Sequence, residues 1–145
     1  QSGVAAVEFV VALPVLLFMM LGVAEFGRAF LQYNILTRTA QDTARMVASE
    51  ALRGQAGTVN LDATLVTAAR NVAVFGNAGG TGSALLPGLT PGNVTIRNLG
   101  GGNFAVAIAY AYQPMIGVAV PDVVQGGSLG TRFTLTAEVV MKAIS

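Results

Sequence analysis

The sequence predicts an α+β fold: a long N-terminal helix, and a second helix packed on a three-stranded antiparallel sheet. Three observations predict it. An apolar run at residues 4–24 passes without a break into an amphipathic helical pattern. A second stretch with steps of three and four occupies about residues 61–75. Beyond residue 93 the apolar period changes to two, the period of a half-buried strand.

The first helix is expected at about residues 4–52. Between Val4 and Ala24 the only charged residue is Glu8, and Pro14 sits inside the run. After the run, Phe26, Phe30, Tyr33, Leu36, Ala40, Ala44 and Val47 form one helical stripe. Arg28, Asn34, Arg38, Gln41, Asp42 and Arg45 take the other side. Such a helix is about 70 Å long, more than twice a bilayer core of ~30 Å, so about half of it must project. Arg53-Gly54 ends it with a basic last turn followed by glycine.

Asn60 is placed to cap the second helix, Asp62 to favour its dipole, and Leu61, Leu65, Ala68, Val72 and Phe75 to form its apolar stripe. Residues 76–93, rich in glycine and proline, read as a flexible loop. Val94 and Ile96 then alternate with Thr95 and Arg97, and "NLGGGN" supplies a turn. In "FAVAIAYAY" Phe104, Val106, Ile108, Tyr110 and Tyr112 share a face opposite four alanines. After a loop carrying Pro114 and Pro121, Phe133, Leu135, Val139 and Met141 alternate with Thr134, Thr136, Glu138 and Lys142. A sheet with one bulky face needs a helix to cover it. The chain therefore divides into a membrane or core segment at 1–25 and an α+β head at 26–145.

Composition narrows the function. The chain is 53% hydrophobic and 10% charged, with a mean hydropathy of +0.64, against about 25% charged in an ordinary soluble domain. The excess lies mainly in the first 36 residues, which must be buried in lipid, in other subunits, or in both. With neither Cys nor His, the chain lacks thiolate nucleophiles, imidazole bases and Cys/His metal ligands. No carboxylate pair has acid–base spacing, so an enzyme is disfavoured and no cofactor or metal is expected. The eight basic residues are scattered singly, where neutralising several phosphates takes a clustered stripe; nucleic acid is not an expected partner. "GGTGS" at 79–83 lacks the Lys-Ser/Thr of a phosphate loop. Asn93-Val94-Thr95 is a glycosylation sequon that also reads as a strand start.

Three features remain to be explained. A carboxylate at mid-bilayer costs roughly 2.5–3.5 kcal/mol on insertion scales, a cost that nearness to the interface lowers. Glu8 is either a tolerated edge charge of an anchor or a group whose cationic partner comes from another chain, such as a neighbouring α-amino group. Pro14 deprives the Val10 carbonyl of its helical partner. In a membrane helix that is tolerated, or it marks a flexible point for a helix that moves from bilayer to packed assembly. Glu25 and Arg28, at i and i+3, form an intrahelical surface pair or pair between chains.

"GVAAVEF", the run containing "LPVLL", and "GVAEFGRAFLQYNILTRTAQDTARMVA" together resemble the TadE-like pilin family of the tight-adherence secretion machinery, most specifically over residues 3–48. "YAYQPMIG" and "LTAEVVMK" are similar, more weakly, to the family's C-terminal strand pattern. The resemblance implies a precursor held in the bacterial inner membrane, cut by a prepilin peptidase and taken up by a membrane assembly platform. The product is an extracellular, type IV-related adhesive filament, homo-oligomeric or co-assembled with other pilins. The family's processing pattern, carried over to this chain, implies cleavage between Gly3 and Val4, with Glu8 and Phe9 following. Glu8 would then be the fifth mature residue, the position thought to recognise a neighbour's N-terminal amine. Processing ahead of Gln1 would instead make it the eighth. The rival reading is a minor pseudopilin or a membrane-tethered scaffold of the same apparatus, with Glu8 incidental.

Overall fold

The computed structural model describes residues 2–51, 60–114 and 133–143. In order these form α1 (Ser2–Ala51), α2 (Ala63–Phe75), a single 3-10 turn at Pro91–Asn93, β1 (Val94–Gly100), β2 (Asn103–Ala111) and β3 (Thr134–Lys142). The sheet order is β1-β2-β3, antiparallel throughout, and α1 packs against α2, β2 and β3. The fold is the expected α+β arrangement. The Arg53-Gly54 stop and the loop at Pro121 lie outside the described residues.

α1 continues through Pro14 as helix. Its head-facing side is narrower than the periodicity implied. Leu36, Ala40, Ala44 and Val47 are completely buried, whereas Phe26, Phe30 and Tyr33 are exposed. On the buried side the line instead continues toward the N-terminus through Gln32, with Thr39 and Thr43 between. Two of the fully buried positions are alanines, which let the elements packed on α1 come close, since packing distance follows the side chains at the contact. On α2 the fully buried positions are likewise Ala69 and Ala73, with Val74; the bulkier Leu61 and Phe75 pack on the core from its margin.

The start of α2 also differs from expectation. Asp62, not Asn60, is the N-cap, its carboxylate accepting from the Leu65 N–H at 2.6 Å. At the other end Gly76 adopts φ +74° and donates its N–H to the Val72 carbonyl, a conformation that glycine enters without steric cost.

The loop expected to be flexible is tied to the head. Leu86 and Leu89 enter the core, and the Tyr110 hydroxyl donates to the Pro87 carbonyl at 2.9 Å. The Asn77 amide donates to the carbonyls of Phe75 and Thr81, and its oxygen accepts from the Thr81 N–H. Asn93 likewise serves the fold: its side-chain oxygen accepts from the N–H and hydroxyl of Thr90 at 2.9 and 2.8 Å, just before β1 begins.

In the sheet, Phe104, Val106, Ile108, Tyr110 and Tyr112 are all buried, as alternation predicts. Leu135, Val139 and Met141 pack on the same core. The turn is built by Gly100, Gly101 and Gly102, all at positive φ, beside a register shift between Asn98 and Gly100. Across the alanine face, Arg97 and Glu138 meet at 3.0 Å above β2. Both are well exposed, so the pair contributes about 0–1 kcal/mol.

Candidate functional site

Two parts of α1 carry the candidate chemistry. The first is the apolar run. Every described side chain from Gly3 to Ala24 is exposed, among them Val4 at 74% and Phe9 at 61%. Burying apolar surface stabilises by about 25 cal/mol per Å², and exposed apolar patches of this extent mark interaction surfaces. The helix is long and apolar enough to cross a membrane, and none of its most apolar stretch is covered by the head. A buried core helix of a soluble domain passes the same length and composition criteria, but its apolar window is covered.

Glu8 lies on one face of this run, where Gly3, Val4, Val7, Val11, Ala12, Val15 and Leu16 join it in lining a shallow open groove. Gly3, Val4 and Glu8 thus share a face, while Phe9 and Pro14 are not among the groove residues. The nearest basic residue in sequence, Arg28, is twenty positions on, about 30 Å along the helix. Within one chain α1 provides Glu8 with no cation from its own run.

The second part is the point where the run ends. Here the sequence pointed to Glu25 and Arg28 but not to their tertiary neighbour. The Tyr112 hydroxyl, just past the end of β2, donates to the Glu25 carboxylate. The Tyr112 N–H is held by the Phe133 carbonyl at 2.9 Å, and the two rings stack with centroids 4.7 Å apart and planes 21° from parallel. Burial first, then the hydrogen bond to Glu25 and its negative charge, push the Tyr112 phenol up to about 12. Burial also raises Tyr110, an effect that the positive charge of Arg28 opposes. The head is therefore fastened to α1 one residue beyond the apolar run. The signal in the sequence was a tyrosine continuing the β2 core face past the strand, which alternation assigned to the core without indicating a carboxylate.

This contact has a pH signature. A phenol raised from 10.0 to about 12 on folding stabilises the head fully below about pH 10, and that contribution is lost as the pH rises through about 12. In a phenolate absorbance titration Tyr112 should give a late step at about pH 12. Tyr112→Phe should remove that late step and lower head stability by about 1–2 kcal/mol at neutral pH. An unchanged titration end-point in the variant would contradict the assignment.

Among the described residues no cluster of His, Cys, Asp or Glu is arranged to hold a metal. A family model described as TadE-like protein matches residues 3–45, the apolar run and the first part of its projection. No curated protein and no solved structure matches the chain. The family match and the uncovered apolar helix fit a membrane protein related to the Tad pilus.

Proposed function

We propose, for a chain whose residues 3–45 match the TadE-like family, a structural pilin-like subunit without enzymatic activity. It is stored in the inner membrane through residues 1–25 and assembled through α1 into an extracellular Tad-like filament for adhesion, with residues 26–145 as the head. The observation that carries this reading is the exposure of the whole apolar run on a helix that continues into the head. Lipid and a core of packed helices are similarly apolar, so one surface serves both before and after assembly. In this reading prepilin peptidase cuts between Gly3 and Val4. Glu8 then recognises the new amine of a neighbouring subunit, Phe9 packs beside it, and Pro14 gives the run a flexible point on leaving the bilayer. In this reading Glu25 and Arg28 also pair between chains, alongside the contacts Glu25 makes within its own chain.

The test is intact mass and N-terminal sequencing of the protein from sheared surface material and from membranes. A surface species beginning at Val4 supports the full reading. One beginning at Gln1 keeps the filament and requires another partner for Glu8. Protein confined to membranes favours a tethered scaffold of the apparatus instead.

A further inference from the structure

We propose that the base of the head sits on the membrane before assembly, with Phe133 and Phe26 seated in the phospholipid headgroup layer. This rests on the reading of residues 4–24 as a membrane span. At 1.5 Å per residue that span covers about 30 Å, one hydrocarbon core, which puts Glu25 at the core boundary.

Glu25 in turn fixes the level of the head. Tyr112 reaches Glu25 through its hydroxyl and Phe133 through both its ring and its N–H. The end of the sheet where β2 finishes and β3 starts therefore lies beside the membrane surface. The β1–β2 turn lies at the opposite end, because β2 runs away from it.

What is exposed at that level is aromatic. Phe133 is 46% exposed and Phe26 81%, and neither ring contributes to the head core. The headgroup layer is roughly 5–8 Å deep on each side, and interfacial segments bury such rings about 5–10 Å into the headgroup–acyl boundary. Arg28, the first cation after the span, stands at the height of the lipid phosphates and complements their charge. Phospholipid is the occupant because Phe26, 81% exposed, follows Val23, 73% exposed, one helical turn on along the apolar surface of the span, and the Tyr112–Glu25 contact brings Phe133 to the same level. Phe133 joins that surface from a residue distant in sequence, so the contact belongs to the folded head and not to the helix alone.

The chain contains no tryptophan and no cysteine, so single substitutions give unique reporters. Full-length Val15→Trp, Phe133→Trp and Leu99→Trp would be reconstituted separately into phosphatidylcholine–phosphatidylglycerol vesicles, with quenchers carried at headgroup or acyl-chain depth. Leu99, 54% exposed and near the β1–β2 turn, reports the far end. Val15→Trp should lose its emission to the acyl-chain quencher. Phe133→Trp should shift to the blue and lose emission to the headgroup quencher, and Leu99→Trp should respond only to a quencher in water. If Phe133→Trp behaves like Leu99→Trp while Val15→Trp is quenched from the acyl chains, the head does not rest on lipid and the proposal is overturned. If Val15→Trp also escapes the lipid quenchers, the membrane span itself fails. Should Phe133→Trp not fold, a nitroxide on Thr134→Cys, an exposed neighbour, decides instead. Preferential relaxation by oxygen over a water-soluble nickel chelate supports the contact, and the reverse overturns it.

Discussion

Glu8→Ala is expected to leave the protein in the membrane fraction at wild-type level or above and to remove it from sheared surface filaments. The two halves of this result have opposite causes. Insertion does not suffer, because a carboxylate costs roughly 2.5–3.5 kcal/mol at mid-bilayer and less near the end of a span, where Glu8 lies; the head does not suffer because Glu8 lies on an exposed face of the apolar run. On the proposed reading, assembly fails because the subunit loses the group that meets a cation from another chain. Breaking one side of a buried ion pair costs about 3–5 kcal/mol, which reduces incorporation roughly a hundredfold or more. Glu8→Gln separates charge from shape: it preserves length and hydrogen-bonding atoms but not the ionic attraction, and should also fail. Fractionation and quantitative immunoblotting of both variants provide the measurement. Wild-type incorporation of Glu8→Ala would end the assembly role, and its disappearance from membranes would end the anchor account.

The elements were legible in the sequence where a single period dominated. β2 is the clearest case: five bulky residues at alternate positions, each buried as alternation requires. The membrane-length run was equally plain, since it depends on composition and not on packing. Helix faces were less legible. In α1 the apolar positions divide between two surfaces, the alanine-lined side facing the head and the side bearing Phe26, Phe30 and Tyr33. A hydrophobicity pattern scores both alike, whereas close helix packing selects the small residues. Local hydrogen bonding was also hidden. Asn60 and Asp62 are both good caps, and only the geometry gives the place to Asp62. The loop at 76–93 has the composition of a mobile segment but is secured by Leu86, Leu89, Asn77 and Asn93. Of the candidate site, Glu8 and Glu25 were visible as charges out of place, but the Tyr112 partner of Glu25 joins residues 87 positions apart, beyond the reach of any local pattern.

Two phenylalanines that look equivalent in sequence offer the sharpest test of this division. Phe104→Ala is expected to destabilise the head by about 3–5 kcal/mol, the usual cost of emptying a fully buried aromatic site. Phe104 has no exposed surface, and its strand is bonded on both sides, opposite Asn98 and Met141. Neighbours held by two ladders cannot collapse into the cavity. Phe26→Ala, from a ring 81% exposed, should change head stability by no more than about 0.5 kcal/mol. In detergent micelles, thermal unfolding of the head should fall by roughly 10–20 °C for the first variant and hardly move for the second. Equal shifts would mean that the α1 stripe faces the head as one surface, contrary to the arrangement found. The same pair separates anchoring from presentation in cells. A chain with an unfolded head and an intact span still enters membranes, because insertion draws on residues 4–24 alone. Phe104→Ala should therefore persist in the membrane fraction, degraded faster than wild type, and, on the proposed filament reading, be depleted from surface material, because its destabilised head is the part a filament would expose.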